Sequence, residues 1–90
     1  MKNSSDKRRI QKTNRFSRDI KKLAAPIQKD AFKVSQKLSE NLFTPDVNIR
    51  KMTGLKNIFR AVVMDDYRLI FSYDSTNLYL LRIGHRKEIY

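Results

Sequence analysis

The chain has 90 residues, of which 20 are lysine or arginine and nine are aspartate or glutamate, so its net charge at neutral pH is +11. This length allows one small domain, and the lack of cysteine excludes disulfides and cysteine-ligated metal sites and fits a cytoplasmic location. No apolar run reaches the roughly 20 residues of a membrane-spanning helix, no secretory signal is expected, and the charge favours a polyanionic partner.

The positive charge is concentrated in the first part of the chain. Residues 1–37 contain 12 basic and 3 acidic residues, whereas residues 38–90 contain 8 and 6. One interpretation is that these basic residues are simply the solvated face of a helical segment. We favour a surface that follows a phosphate backbone, because charge neutralisation drives nucleic-acid binding without reading sequence.

The N-terminal part of the chain is predicted to contain an arm, a short strand and a first helix. Residues 1–9 are polar and basic and are predicted to be a flexible arm before a single domain over residues 10–90. The domain begins with a short strand over residues 10–13, and Asn14 is a suitable N-cap for the helix that follows. The apolar residues on one face of this helix are Phe16, Ile20 and Leu23.

The second helix has the clearest periodicity in the sequence. Pro26 suits its first turn, because the amide hydrogen that proline lacks has no partner there. The apolar residues recur at intervals of three and four, which is typical of an amphipathic helix, and are Ile27, Ala31, Val34, Leu38 and Leu42. The segment around Pro45 ends this helix, and residues 47–57 are predicted to be a linker with Gly54 as a turn residue.

The last third of the chain is predicted to form three consecutive antiparallel strands and a basic tail. A three-residue loop over residues 64–66 would pair Val63 with Tyr67, and it keeps Arg60 off the face that carries the aromatic residues. The residues on that apolar face would be Phe59, Ala61, Val63, Tyr67, Leu69 and Phe71. A similar loop over residues 75–77 would add Tyr79, Leu81 and Ile83, and the helices would cover this face.

The opposite face of these strands is predicted to be basic. Its residues would be Arg60, Arg68 and Arg82, interleaved with Val62, Ile70, Leu78 and Leu80. Such a mixture of cationic and apolar side chains is unusual for bare solvent and indicates a surface that contacts a partner.

Four side chains in this region could serve phosphodiester cleavage without a metal. Such cleavage needs a base for the 2′-hydroxyl of RNA, cations that stabilise the transition state and an acid for the leaving 5′-oxygen. Arg68 and Arg86 can bind phosphate oxygens through paired hydrogen bonds. His85 is the single histidine, and imidazole exchanges protons near neutral pH. Tyr90 can donate a proton or stack on a base.

Each of these residues also has an ordinary structural explanation. Arg68 could be an exposed strand residue, His85 a surface or core residue, and Tyr90 a frayed or packed terminal residue. Arg60 and Arg82 could pair with carboxylates such as that of Asp74. No metal and no cofactor are predicted, since one histidine, no cysteine and acids without ligand spacing do not form a metal site. A serine triad is not expected, because the sequence has no GxSxG motif.

The strings DYRLIF and RIGHRKEIY resemble the RelE/ParE toxin superfamily of bacterial toxin–antitoxin systems. Tyr67–Arg68 is similar to the pair that opens the middle strand of the C-terminal meander in RelE-like toxins. Gly84–Arg86 and Tyr90 are similar to the glycine-basic-arginine step and the tyrosine that follow the last strand. The resemblance implies an α+β fold with a short N-terminal strand and a two-helix hairpin packed on an antiparallel sheet. The last three strands of that sheet form a meander, and a basic C-terminal tail follows.

The resemblance also implies an activity. RelE-like toxins enter the ribosomal A site and cut mRNA there, with the 2′-hydroxyl as nucleophile and no metal. Carried over, Arg68 and Arg86 would stabilise the transition state, and His85 and Tyr90 would transfer protons or stack on a base. The expected partners are mRNA, ribosomal RNA and an antitoxin that covers the sheet and helices. The residues expected to bind RNA are Arg60, Arg82, Lys51, Lys56, Lys29, Lys33 and Lys37.

Val62 departs from the pattern of this superfamily. Many relatives carry a second basic residue at this position, two residues after the one that Arg60 matches. If that residue is the general base, this chain uses another, such as His85 or Lys51, or is weakly active. Three functions therefore stay open: a ribosome-dependent endoribonuclease, a ParE-like inhibitor that binds DNA gyrase without cutting RNA, and a catalytically weak RNA-binding relative.

Overall fold

The computed structural model describes residues 7–89. Within them, three helices accompany one five-stranded sheet, which confirms the predicted α+β fold. The elements in chain order are β1 (Arg9–Lys12), α1 (Asn14–Lys21), α2 (Ala25–Glu40), β2 (Ile49–Lys51), β3 (Phe59–Val63), β4 (Tyr67–Tyr73), β5 (Asn77–His85) and α3 (Arg86–Ile89). The strand order is β1-β5-β4-β3-β2, in which β1 runs parallel to β5 and the other neighbours are antiparallel.

The first described residues, 7–9, are bound at the end of the sheet where β4 turns into β5. Of the predicted arm, residues 1–6 lie outside the described residues, and Arg9 is already the first residue of β1. The backbone amide of Arg8 donates to the carbonyl of Ser39, and its Nε donates to the carbonyl oxygen of Asp74, 2.7 Å away. Residues 7–9 therefore contact both the end of α2 and the β4–β5 turn.

Thr13, rather than the predicted Asn14, is the N-cap of α1. Its hydroxyl oxygen accepts a hydrogen bond from the amide of Phe16 at 3.1 Å, and Asn14 is the first helical residue. The same hydroxyl lies 3.0 Å from the carbonyl oxygen of Leu80 and 3.1 Å from that of Leu81. Threonine is favoured at the N-cap because its hydroxyl can form hydrogen bonds with both the helix and β5.

Helix α2 matches its predicted pattern closely. Pro26 lies in its first turn, and the side chains of Ala31, Val34 and Leu38 are buried against the sheet. Leu42 follows the end of the helix at Glu40 but is buried in the same core. The apolar stripe therefore binds this helix to one face of the sheet.

The predicted linker over residues 47–57 is wrong in part, because it contains strand β2. Ile49 pairs with Ala61 and Lys51 with Phe59, which makes β2 the edge strand next to β3. A three-residue edge strand has too few positions to show an alternating pattern. Gly54 has a φ of +81° and is a turn residue, as predicted.

The register of the β3–β4 hairpin agrees with the prediction from sequence. Val63 pairs with Tyr67 and Phe59 with Phe71, so the connecting loop spans residues 64–66. Two of its residues, Met64 and Asp65, have φ values of 47° and 61°, the left-handed region that hairpin loops use. The amide of Met64 also donates to Asp30 Oδ2 on α2 at 3.1 Å.

The predicted register of β5 is wrong in its first half, because the strand contains a β-bulge. Ile70 pairs with Arg82, but the next residue, Phe71, pairs with Leu80. The extra residue reverses the alternation before Arg82. Leu78 and Leu80 are therefore fully buried under the helices, whereas Tyr79 and Leu81, predicted to lie in the core, are only partly buried.

The core lies between the helices and one face of the sheet. Its largest fully buried side chains are those of Phe71, Leu38, Leu69, Leu78, Leu80, Ile83 and Val63. On the other face of the sheet, the short helix α3 places Ile89 against Gly84 of β5. No helix within residues 7–89 is both long and apolar enough to cross a membrane.

The side chain of Asp74 organises the turn between β4 and β5. Its carboxylate accepts hydrogen bonds from the Tyr79 hydroxyl at 2.8 Å and from the amides of Thr76 and Asn77 at 2.9 and 2.7 Å. These bonds, with that from Tyr79 the strongest, lower the pKa of Asp74 from 3.8 to about 2. The same bond raises the pKa of the Tyr79 hydroxyl.

Asp74→Asn is expected to make the protein less stable near neutral pH, with a difference from the natural protein that shrinks in acid. Because the folded carboxyl has the lower pKa, its contribution is complete above the unfolded value of 3.8 and is lost as the pH falls through about 2. Urea denaturation of both proteins between pH 6 and pH 2 checks this. A stability difference that stays constant over this range would contradict it.

Candidate functional site

Four arginines lie on the sheet face opposite the one that packs against α2. Arg50 pairs directly with Arg60 across β2 and β3, and Arg82 is separated from Arg60 only by Ile70. Arg68 pairs with Val62 on one side and Gly84 on the other. We call Arg50, Arg60, Arg68 and Arg82 the arginine face. Three of them were placed together by the predicted register, whereas Arg50 was missed because its segment was predicted to be a linker.

The arginine face is electrostatically unusual. Like charges directly opposite each other on neighbouring strands destabilise a sheet, and Arg50 and Arg60 are such a pair. Ile70 lies between Arg60 and Arg82 and is only 7% exposed, because long side chains on both neighbouring strands shield it. The face therefore combines cations with an apolar floor.

Arg82 is held by a carboxylate of α1. Its Nε lies 3.2 Å from Asp19 Oδ2, and that oxygen also accepts from the amide of Ile83 at 3.1 Å. Burial opposes ionisation of Asp19, but the hydrogen bonds from Arg82 and Ile83 outweigh it and lower the pKa of this carboxyl. Asp19 thus accepts hydrogen bonds from the part of β5 that is not paired with β1. Arg82 pairs with Asp19 rather than with Asp74.

Arg68 points toward the loop over residues 64–66. Its Nη1 donates to the carbonyl oxygens of Asp65 and Tyr67, at 2.7 and 2.9 Å. These two bonds fix the guanidinium at the end of the sheet where the β3–β4 hairpin turns. The side chain is partly buried, so its position is set before any ligand binds.

Arg86 lies at the same end of the sheet as Arg68. Its amide donates to the carbonyl oxygen of Asp66 at 2.8 Å, and its Nε is 3.8 Å from Asp66 Oδ1 in a half-exposed ion pair. Helix α3, which Arg86 begins, turns back onto the arginine face. A Cβ built on Gly84 would lie 3.3 Å from Ile89 Cδ1, so the glycine makes room for this contact directly opposite Arg68.

His85 does not share the arginine face. It pairs with Tyr67, which places both rings on the helix side of the sheet, 5.3 Å apart in an edge-to-face arrangement. The Nδ1 of His85 accepts a hydrogen bond from the amide of Lys87 at 3.1 Å, so the neutral ring carries its proton on Nε2. Tyr90, the fourth predicted catalytic residue, lies outside the described residues.

The lysines predicted to bind RNA lie apart from the arginine face. Lys51 pairs with Phe59 and therefore belongs to the helix side of the sheet, and with Lys56 it lines a loop cavity of about 440 Å³. The lysines spaced by four along exposed positions of α2 are Lys29, Lys33 and Lys37. Lys33 and Lys37 line a groove of about 470 Å³ that reaches Val62, and Lys37 Nζ lies 3.8 Å from Asp46 Oδ2.

The two residues proposed from sequence as the general base do not lie on the arginine face. Val62 lies beside Arg68 on the arginine face, and the two proposed substitutes, His85 and Lys51, both lie on the other side of the sheet. The four strand residues that define the face offer only guanidinium groups for proton transfer. Within residues 7–89, no three histidine, aspartate or glutamate side chains are grouped so that they could hold a metal.

Comparison with known proteins identifies the family. Residues 10–90 match the family model described as the ParE toxin of the type II toxin–antitoxin system parDE. The chain belongs to the ParE toxin family. This assignment confirms the resemblance to the RelE/ParE superfamily, although the RelE-like motifs had favoured its other branch. No curated protein matched this ParE-family toxin in sequence.

Solved structures share the fold of this ParE-family toxin. The RelB–RelE antitoxin–toxin complex from Methanococcus jannaschii has a chain with a TM-score of 0.74 and 23% identity, covering 89% of this chain and 94% of that one. The Escherichia coli DinJ–YafQ toxin–antitoxin complex gives 0.75 and 22%, with 93% and 98% covered. The Mycobacterium tuberculosis RelBE2 toxin–antitoxin complex gives 0.73 and 24%, with 91% and 94% covered.

Proposed function

We propose that this toxin is a ribosome-dependent endoribonuclease that binds mRNA on its arginine face and cuts it in the cytoplasm without a metal. The observation that carries the proposal is the arginine face itself. Four guanidinium groups on neighbouring strands, two of them directly opposed, match the repeated charges of a phosphate backbone. Guanidinium binds phosphate oxygens through two parallel hydrogen bonds, so each arginine of the face can hold one phosphate group.

In this proposal the chemistry takes place at the end of the sheet next to residues 64–66. Arg68 and Arg86 both contact this loop, through Asp65 and Asp66, and they would stabilise the charge that develops on the phosphate during attack by the 2′-hydroxyl. Ile89 packs on Gly84, the cross-strand partner of Arg68. Tyr90 and His85 are the proposed proton donors or stacking groups, and Arg60 and Arg82 bind the flanking phosphates.

We also propose that an antitoxin protein neutralises this chain. The similar chains of known structure include toxins solved as the RelB–RelE and DinJ–YafQ complexes with their antitoxins. Ribosomal RNA is the second nucleic-acid partner in the proposal. The exposed lysines of α2, together with Lys51 and Lys56, would contact it.

The experiment that tests the proposal is induction of the toxin in bacteria followed by primer extension on a reporter message. The same message without its start codon is the matched control. We expect new 5′ ends only in the translated message, together with growth arrest. Arrest without any cut would reject the ribonuclease and favour a protein target.

A second candidate function is inhibition of DNA gyrase by binding without cleavage. Two observations favour it: the matching family model is that of the ParE toxin, and neither His85 nor Lys51 lies on the arginine face. A supercoiling assay with purified gyrase separates the two functions. Inhibition at stoichiometric toxin, with a translated message left intact, would support this second candidate.

Arg50→Ala is expected to reduce the salt dependence of RNA binding. Each phosphate of a single-stranded RNA that a protein cation neutralises contributes about 0.7 to the slope of log affinity against log salt concentration. Removal of Arg50 should therefore lower the slope by about this amount and weaken binding at low salt, with little effect on folding because the side chain is exposed. Titrations of an unstructured oligoribonucleotide from 50 to 300 mM KCl measure it, and an unchanged slope would exclude Arg50 from the interface.

A further inference from the structure

The loop over residues 64–66 has a backbone conformation that is unfavourable for its sequence. Met64 and Asp65 have φ values of 47° and 61°, in the left-handed region, where a Cβ atom crowds the following carbonyl oxygen. Glycine, asparagine and aspartate tolerate this region best, whereas a long side chain such as that of Met64 seldom adopts it. Such a conformation persists only where the surrounding structure stabilises it. The contacts of this loop with other elements therefore maintain its conformation.

Both arginines of the proposed chemistry are bound by this loop. Arg68 Nη1 donates to the carbonyl oxygen of Asp65 at 2.7 Å. The amide of Arg86 donates to the carbonyl oxygen of Asp66 at 2.8 Å, and its Nε faces the Asp66 carboxylate at 3.8 Å. The acceptor of Arg68 belongs to a residue in the left-handed conformation, so its direction depends on the dihedral angles of the loop. A change in these angles would displace the acceptors of both arginines together.

A carboxylate of α2 binds the loop from the helix layer. Asp30 Oδ2 accepts a hydrogen bond from the amide of Met64, 3.1 Å away, at the first of the two left-handed residues. Asp30 is half-buried and lies 34 residues before Met64, so this bond joins the helix to the β3–β4 hairpin. Hydrogen bonds to an ionised acceptor are stronger than those between neutral groups. The bond therefore favours the loop conformation that the local sequence disfavours.

We infer that Asp30 is a positioning residue for the proposed cleavage. By binding the amide of Met64, it keeps the loop in the conformation that presents acceptors to Arg68 and Arg86. The two guanidinium groups are then oriented before the phosphate arrives, and small displacements of such groups cost much of the rate. The inference rests on the proposed ribonuclease function and adds to it a residue of α2, which acts on the arginines through the loop.

Asp30→Ala tests the inference, and Asp30→Asn is the matched control. Both variants lose the same negative charge, but asparagine keeps a side-chain oxygen that can accept from the amide of Met64. We expect Asp30→Ala to lower the maximal rate of mRNA cleavage about tenfold, and Asp30→Asn to cut at close to the natural rate. Single-turnover cleavage on purified ribosomes that carry a short message, with toxin in excess, measures this rate.

The same titrations separate positioning from binding. The toxin concentration that gives half of the maximal rate should be equal for the two variants. They have the same net charge, and in both the arginines proposed to bind the message outside the cleavage point are unchanged, namely Arg50, Arg60 and Arg82. A difference in this concentration with equal maximal rates would make Asp30 a binding residue and would overturn the inference.

An asparagine at position 64 should compensate for the loss of Asp30. Asparagine adopts the left-handed region far more readily than methionine, so the loop would depend less on the bond from α2. We expect the double variant Asp30→Ala, Met64→Asn to cut faster than Asp30→Ala alone. A double variant as slow as Asp30→Ala would show that Asp30 does not act through the loop conformation.

The side-chain NMR signals of Arg68 report its position without any RNA. A guanidinium group held by hydrogen bonds rotates slowly about its Cζ–Nη bonds and gives separate Nη signals, whereas a free group gives averaged ones. We expect separate signals in the natural protein and in Asp30→Asn, and averaged signals in Asp30→Ala. Urea denaturation of the same samples should show all three proteins folded at neutral pH.

The outcomes distinguish this inference from the proposed function. If Asp30→Ala cuts as fast as Asp30→Asn, or if its Arg68 signals stay separate, Asp30 does not position the site and the inference is wrong. If the loss of cleavage follows a loss of folded protein, Asp30 only stabilises the fold, and the inference is equally wrong. If the natural protein cuts no message, the proposed ribonuclease fails, and the Arg68 signals alone decide whether Asp30 positions this arginine.

Discussion

Arg86→Ala is expected to slow mRNA cleavage by roughly 10²–10³-fold, a loss of about 3 kcal/mol of transition-state stabilisation. Arg86 is bound to the loop over residues 64–66 only by its backbone amide and a half-exposed ion pair with Asp66. Exposed pairs of this kind contribute about 0–1 kcal/mol to folding. The substitution should therefore affect the reaction far more than the stability of the fold, and cleavage of a translated message measures it.

Lys87→Ala is the matched control for Arg86. It removes an exposed cation from the next position of the same short helix, with the same change in net charge. We expect this variant to cut at nearly the natural rate. Equal toxicity of Arg86→Ala and the natural protein would remove Arg86 from the proposed chemistry, and equal losses in both variants would indicate only a general effect of charge.

Phe71→Ala is expected to lower the free energy of unfolding by about 3–5 kcal/mol. The ring is fully buried and stacks on Phe59 at the point where the β5 bulge shifts the register. Small domains are stable by only about 5–15 kcal/mol, so this one change removes a large part of the total. A urea denaturation curve at neutral pH measures the shift in midpoint.

Phe32→Ala is the matched control for loss of the buried Phe71 ring. It deletes the same atoms from an exposed position of α2, where alanine is also the better helix former. Its unfolding midpoint should stay close to the natural value. A Phe71→Ala protein as stable as Phe32→Ala would mean that the core does not pack as described.

The register of the β3–β4 hairpin could be predicted from sequence because two constraints agree there. Apolar residues alternate on both strands, and only a three-residue loop keeps Arg60 off the core face. A shift by one residue would have buried a guanidinium without a partner, which is energetically expensive. The positions of Arg60 and Arg68 on one face followed from this reasoning.

The first half of β5 could not be predicted in the same way. Residues 78–81 are Leu, Tyr, Leu and Leu, so either alternation buries apolar side chains and the local pattern does not choose between them. The choice is made by the parallel pairing with β1 and by the Thr13 hydroxyl, which donates to the carbonyl oxygens of Leu80 and Leu81 as shared acceptors; both contacts come from far along the chain. Long-range contacts of this kind leave no local signal.

The candidate site was also predicted from sequence only in part. Arg50 was missed because a three-residue strand looks like a loop in sequence, and pairing with β3 alone brings it to Arg60. His85 was grouped with the arginines because imidazole exchanges protons near neutral pH and because Gly84–Arg86 resembles a family motif, but strand alternation places it beside Tyr67 on the other side. Closeness along a strand does not indicate a shared face.

The position of β5 within the sheet has a consequence for synthesis of the toxin. β5, the last in chain order of the five strands described, lies inside the sheet between β4 and β1, and it contributes the buried side chains of Leu78, Leu80 and Ile83. Until this strand leaves the ribosome, β1 has no neighbour, and contacts between such distant parts of a chain form slowly. A nascent chain that ends before residue 77 therefore lacks both a complete core and the groups of Arg82 and Arg86, so we expect no folded domain before β5 has left the ribosome.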